Sequence, residues 1–184
     1  MKSQGSVDVV AGMMFLLIIV LSAIFGFRTI QYMVISAEVE DALTVSNLAS
    51  AIIDIEEYGK SHNIHIRDSE RAFSMYYDAL CSNLKLDTQL NTTNKDLLVG
   101  RVEIKEYILY NRRNGEIETI VMNQEGKIIS CSLGQVGSVY TPNQVCIENT
   151  SVYSRIGFYV EGFAGKKIYG EKEKCIDIAR WNFE

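Results

Sequence analysis

The sequence predicts an α+β protein in which one long N-terminal helix packs on a C-terminal antiparallel β-sheet. An apolar run without charge, residues 9–27, is followed by a helical pattern that continues to Tyr58 without proline, and without glycine after Gly26. From Arg101 onward, apolar residues instead alternate with polar ones at a period of two, which is typical of strands. The 184 residues suffice for one domain and an anchor.

The apolar run has the length of a membrane-spanning helix. Its 19 residues approach the roughly 20 that cross a bilayer. The alternative is a cleaved secretory signal, whose apolar core is shorter and ends in a small-residue cleavage site. The run is longer than such a core, offers poor cleavage sites, and follows Asp8 where a signal carries basic residues. We therefore expect a short cytoplasmic leader at 1–8, a transmembrane helix at 9–27, an amphipathic continuation at 28–59 and an extracytoplasmic α+β domain at 60–184.

Orientation is weakly marked by charge, because Lys2 precedes the run and Arg28 follows it. The cysteines all lie in the distal part of the chain, which favours a cytoplasmic N-terminus and an extracytoplasmic C-terminus.

The continuation of the helix is predicted to be amphipathic. Apolar residues at steps of three and four form a stripe that we expect to pack on the sheet. Polar residues form the other side, and Gly59 is a plausible C-terminal stop. The stripe includes Ile30, Met33, Val34, Ala37, Leu48, Ile52 and Ile55 and is broadened by Val39, Ala42, Leu43, Val45 and Ala49. The polar side includes Ser36, Glu40, Asp41, Thr44, Asn47, Ser50 and Asp54.

The distal domain is predicted to contain one helix and about five strands. Asp68 or Ser69 can cap a helix at 70–85. Strands are expected at 101–110, 116–122, 127–133, 151–163 and from 166 to near Trp181, with hairpin turns at 114–115 and 124–126. Residues 134–150 are expected to be irregular. Alternating charge at 171–174 is typical of an edge strand protected against aggregation.

The four cysteines are Cys81, Cys131, Cys146 and Cys175. An even number with no CxxC spacing favours two disulfides in an oxidising compartment, and free buried thiols are the alternative. Three pairings are possible, and the sequence does not choose among them.

No catalytic constellation or cofactor motif is found, so we expect neither an enzyme nor a bound cofactor. His62 and His65 stand near Asp68 and Glu70, but two histidines in a predicted loop lack the further ligand of a typical zinc site. The paired carboxylates, such as those at 116 and 118, have the spacing of a solvated face. A net charge of −5 argues against a nucleic-acid partner, which needs a basic surface.

The layout resembles the type IV pilin superfamily, including pseudopilins and TadE-like minor pilins. The matching features are the leader MKSQG at 1–5, the apolar run, the amphipathic continuation to Tyr58 and the distal strands. In that family a prepilin peptidase cuts after the glycine, which here implies cleavage between Gly5 and Ser6. The family usually has glutamate at the fifth mature position, where this chain has Val10, and the nearest acid is Asp8.

The resemblance implies a structural subunit of an extracytoplasmic filament or secretion apparatus. Its partners would be membrane lipid, other pilin-like subunits, the peptidase, and an assembly ATPase with its platform proteins. Gly12, Ser22, Ala23 and Gly26 would permit close helix packing, and Asp8 would pair with a neighbouring subunit's free α-amino group. The alternative is a single-pass anchored binding module that does not polymerise. A continuous helix into the sheet domain favours the pilin interpretation, and a flexible stalk favours the module.

Overall fold

The computed structural model describes residues 4–54, 56, 58–59, 64–94, 97–162 and 165–178. Its two long helices are α1 (Gln4–Ser50) and α2 (Ser69–Asn83). The chain divides into two compact units, Met1–Ala37 and Glu38–Glu184. His62 and Trp181, which the sequence analysis singled out, lie outside the described residues. The strands are β1 (Glu103–Arg113), β2 (Glu116–Met122), β3 (Ile128–Gln135), β4 (Ser151–Glu161) and β5 (Lys167–Asp177).

The five strands form one antiparallel sheet in the order β3-β2-β1-β4-β5. The predicted α+β class, the three-strand meander and both hairpin turns are confirmed. Asn114 and Gly115 have φ values of 51° and 87°, as the tight turn between twisted strands requires. β4 returns to pair with β1, and β5 pairs with β4. β3 and β5 therefore form the two edges of the sheet.

One face of the sheet, the helix-bearing face, carries α2 and the second part of α1, which is residues 38–50 and belongs to the second unit. The ring of Tyr76 on α2 lies 4.8 Å from the ring of Tyr107 on β1. Ser154 of β4 is paired with Tyr107 in the sheet and donates a hydrogen bond to the Asn47 side chain of α1. The core of the domain lies between these helices and the strands.

The opposite face is covered by the irregular segment between β3 and β4. A second buried cluster lies there, with Val136 and Val139 of this segment packed against it. Irregular backbone was predicted at 134–150, but its function as a cover for the sheet was not. The buried members of the cluster are Ile108, Tyr110, Ile117, Ile147 and Tyr153.

The predicted helix at 70–85 is confirmed as α2, with Asp68 as its N-cap. An Asp68 carboxylate oxygen accepts a hydrogen bond from the Arg71 N–H at 2.9 Å. This bond satisfies one of the backbone donors that a helix N-terminus leaves free.

The expectation that α1 continues to Tyr58 is wrong, because α1 ends at Ser50 and residues 51–54 are not helical. The N–H of Ile52 donates to the Ser50 carbonyl, and the N–H of Asp54 donates to the His65 carbonyl. The β-branched Ile52 and Ile53 also lose side-chain freedom in a helix. A separate helical turn then includes residues 56, 58 and 59.

Candidate membrane-spanning and assembly helix

The first unit contains the apolar part of α1. At 1.5 Å per residue, residues 9–27 span about 28 Å, close to the roughly 30 Å hydrocarbon thickness of a bilayer. The large apolar side chains of this run are exposed, from 42% for Ile24 to 68% for Met13. Length and composition make this helix suitable for crossing a membrane, and they also fit an N-terminal signal sequence.

The four small residues predicted to permit helix packing share one side of this helix. At about 100° per residue, Gly12, Ser22, Ala23 and Gly26 fall within an arc of about 100°. A Cβ atom added at Gly12 or Gly26 would meet nothing within 4 Å. A glycine inside a helix costs about 1 kcal/mol relative to alanine, and no contact within the described chain offsets that cost here.

The predicted processing residues lie inside α1. Residues 4–8, including Gly5, Ser6 and Asp8, are already helical. The side chains of these residues lie outside the described part of the chain. Cleavage after Gly5 and pairing by Asp8 remain predictions.

The second part of α1 is bonded to the sheet through Asn47, which is fully buried. Its amide oxygen accepts from the Ser154 hydroxyl at 2.8 Å. Its amide nitrogen donates to the Lys174 carbonyl of β5 at 3.0 Å and lies 3.5 Å from the Val152 carbonyl of β4. One side chain thus joins α1 to two adjacent strands.

The hydroxyl groups of the neighbouring buried serines form hydrogen bonds within α1. Ser46 donates to the Ala42 carbonyl at 2.6 Å, and Ser50 donates to the Asn47 carbonyl at 2.7 Å. Because their hydroxyls bond to the helix backbone, these small polar residues can be buried without a partner on the sheet.

A charged cluster lies beside Asn47. The Glu40 carboxylate of α1 is 2.6 Å from the Lys174 ammonium and 3.0 Å from the Lys172 ammonium of β5. Hydrogen bonds and attraction from these two lysines lower the pKa of Glu40 to about 2. Lys172 and Lys174 lie on the helix-bearing face by register, so they bind α1 as well as adding charge to the edge strand.

The buried side of α1 differs from the predicted one. Val39, Ala42 and Leu43 are buried as expected, but Asn47 and Ser50, expected on the solvent side, are fully buried too. The physical reason is that each finds a hydrogen-bond partner, so burial leaves no unpaired polar group.

The opposite side of α1 in the second unit exposes apolar side chains that the sequence analysis placed in the packed stripe. Val45 is 49% exposed and Leu48 is 53% exposed. Asn47 and the apolar Val39, Ala42 and Leu43 already fill the contact with the sheet. Val45 and Leu48 therefore form an exposed apolar surface that does not pack against the described part of the domain.

The four cysteines are all free thiols, so the expected two disulfides are not present in this structure. Cys131 on β3 and Cys175 on β5 lie on opposite edges, four strand spacings or about 19 Å apart. A disulfide needs Cα atoms within about 7 Å. Cys81 lies on α2, where its thiol lies 3.6 Å from the Asp87 carbonyl, and Cys146 lies in the segment that covers the second face. Burial raises the pKa of the Cys175 thiol to about 12.

The described members of the candidate histidine and carboxylate groups form no metal or acid–base site. Among the residues that the structure describes, no three His, Cys, Asp or Glu side chains are placed to hold a metal ion. Glu116 and Glu118 lie on β2, a strand whose partners are β1 and β3.

No family model, curated protein or solved structure matches this chain.

Proposed function

We propose that this chain is a pilin-like structural subunit of an extracytoplasmic filament or secretion apparatus, and that it assembles through α1. The N-terminus would be cytoplasmic, the apolar run would cross the membrane before assembly, and the sheet domain would lie outside the cell membrane. Its partners would be membrane lipid and other pilin-like subunits.

The observation that carries the proposal is the exposed apolar side of α1 beyond the membrane-spanning run. A tether needs no apolar residues there, because its only packed side is the one on the sheet. Val45 and Leu48 nevertheless expose about half of their surface. In a filament, such a side would be buried against the helices of neighbouring subunits.

The continuity of α1 supports the same proposal. The helix runs from Gln4 to Ser50 without interruption, and its end is bonded to the sheet by Asn47. A tethered module typically has a flexible stalk at this position, whereas residues 4–50 form one helix. The single-pass binding module is the competing proposal.

The small residues of the apolar run provide a physical basis for assembly. On leaving the bilayer, apolar helices exchange lipid contacts for contacts with one another, and small residues allow close approach. Gly12 and Gly26 offer open space for this approach. An acid near the apolar run is costly unless it is paired, so we propose that Asp8 pairs with the free α-amino group of a neighbouring subunit.

N-terminal sequencing of the protein from the membranes of the producing cells tests the processing step. We expect the mature chain to begin at Ser6, as a prepilin peptidase would leave it. An intact Met1 would favour the non-polymerising module. A terminus beyond residue 27 would show a cleaved signal and overturn the proposal.

The assembly step is tested by Leu48→Lys, with Met75→Lys as the matched control. Met75 is also an exposed apolar residue, 43% exposed, but lies on α2. In intact membranes treated with an amine-reactive cross-linker, we expect the oligomer ladder to be lost with Leu48→Lys and kept with Met75→Lys. Equal ladders for the two variants would contradict assembly through this side of α1. Asp8→Ala should weaken the ladder, and normal assembly of that variant would remove the proposed charge pair.

A further inference from the structure

The two edges of the sheet differ in charge. β5 carries six charged side chains, at positions 167, 171–174 and 177, whereas β3 carries none and contains no proline. Charged side chains on an edge strand discourage pairing with another chain. Among the described residues, β3 pairs only with β2, so its outer edge has neither a partner strand nor this protection.

The side chains of β3 are exposed along its length. Ile129 is 65% exposed and Leu133 is 70% exposed, and Cys131 between them is also exposed. Alternation along the strand places Cys131 and Leu133 on one side, and pairing of Cys131 with Ile120 assigns that side to the helix-bearing face. Ile129 lies at the register shift between Ser130, which pairs with Val121, and Ile128, which pairs with Met122. The two helices therefore leave the β3 end of this face uncovered.

Residues 129–133 read Ile-Ser-Cys-Ser-Leu, which is symmetric in chemical class about Cys131. Antiparallel pairing of two copies centred on Cys131 sets Ile129 of one copy opposite Leu133 of the other. It also sets each Ser130 opposite a Ser132. Apolar side chains are thus paired with apolar side chains and hydroxyls with hydroxyls across the two strands, and no like charges lie opposite each other.

The other edge lacks this self-complementarity. Pairing two copies of β5 about its middle residue would place Lys172 opposite Lys172 and Glu171 opposite Glu173. Like charges directly opposite each other in a sheet are destabilising. The charge pattern therefore directs self-association to one edge only.

We propose that β3 is a homotypic docking edge, at which a second copy of this chain adds its own β3 in antiparallel register about Cys131. The sheets of the two copies then join into one of ten strands. Backbone hydrogen bonds supply the attraction, and the alternating side chains fix the register. This inference does not depend on the proposed function, because α1 takes no part in the contact.

The contact is expected to be weak in dilute solution. An edge of eight residues buries less than the roughly 1,200 Å² of a standard stable interface. A covalent trap is therefore the suitable assay. Residues directly opposite in an antiparallel pair have Cα atoms about 4.5–5.5 Å apart, which a disulfide can span.

The experiment uses the full chain in detergent micelles with Cys81, Cys146 and Cys175 changed to Ser, so that Cys131 is the only thiol. Copper–phenanthroline and oxygen accept the two electrons released as two thiols form a disulfide. We expect a disulfide-linked dimer on a non-reducing gel. The matched edge control carries Ile168→Cys, at a β5 position 45% exposed, in a chain with no other cysteine, and we expect it to stay monomeric.

Two charge variants test the register and exclude association driven by α1. Ser130→Lys with Ser132→Lys places lysine opposite lysine twice, and we expect a loss of dimer yield of about two- to thirtyfold. Ser130→Lys with Ser132→Glu places lysine opposite glutamate twice and should retain the dimer. Equal yields from the two variants, no dimer through Cys131, or capture of a different protein by Cys131 would each overturn the proposal.

Discussion

The buried hydrogen-bonded attachment of α1 to the sheet should depend strongly on the side-chain amide of Asn47. Asn47→Ala removes two well-formed hydrogen bonds, to the Ser154 hydroxyl at 2.8 Å and to the Lys174 carbonyl at 3.0 Å. Each such bond contributes about 1 kcal/mol, and an unpaired buried group left behind costs about 1–3 kcal/mol. The 3.5 Å contact with the Val152 carbonyl is too long to add much. We expect the free energy of unfolding to fall by about 2–4 kcal/mol.

A double-mutant cycle with Ser154→Ala isolates the bond between the two side chains. Because Ser154 is fully buried, its hydroxyl has no water to replace Asn47. We expect the double variant to be about 1 kcal/mol more stable than the sum of the single effects predicts.

The assay is urea unfolding of the full chain in detergent micelles, followed by near-ultraviolet circular dichroism. Leu48→Ala, next to Asn47 on the exposed side of α1, is the control and should change stability by less than about 0.5 kcal/mol. A coupling below about 0.3 kcal/mol would refute the view that this side-chain pair joins the helix to the sheet.

Three further predictions concern the turn, the charged cluster and the apolar run. Gly126→Ala should lower the free energy of unfolding by about 2–5 kcal/mol, because φ is +76° and the new Cβ would lie 2.6 Å from a ring carbon of Phe73 on α2. The control is Gly137→Ala, where φ is +86° and the space for a Cβ is open. It should lower the free energy of unfolding, measured in urea, by only about 1–2 kcal/mol. The pKa of Glu40 is lowered from 4.5 to about 2, so its contribution to stability is present above pH 4.5 and is lost as the pH falls towards 2. Glu40→Gln should therefore have a lower urea midpoint than the unchanged chain at pH 7 and nearly the same midpoint near pH 2. A difference in midpoint that stays constant between these two pH values would contradict the prediction. Leu17→Arg should cost about 2.5–3.5 kcal/mol of membrane insertion and shift the chain out of the carbonate-resistant membrane fraction, whereas Leu48→Arg should leave that fraction unchanged.

The elements of the sheet domain could be predicted from the sequence because their periods are strong. The 116–122 strand matches β2 residue for residue, and α2 begins and ends within two residues of expectation. The cover of the second face could not be predicted, since residues 134–150 have no period. Tyr153 follows Val152 and therefore points to the other face of the sheet, where it is buried because that irregular segment packs over it.

The buried side of α1 shows where sequence patterns fail physically. Hydrophobicity placed Leu48 inside and Asn47 outside, and the structure reverses both. The partners of Asn47 lie on β4 and β5, more than 100 residues away in sequence. A local pattern does not contain that information. A signal that could have found the site is the set of small polar residues at positions 46, 47 and 50, which fall at helical spacing on the same side as Val39, Ala42 and Leu43.

The charged edge at β5 has a consequence for the stoichiometry of the protein. With one self-complementary edge and one repelling edge, each copy can accept one neighbour through its sheet. A twofold contact between identical surfaces closes on itself. Homotypic pairing through β3 therefore stops at two copies. An assembly longer than two copies needs a second contact besides this twofold one.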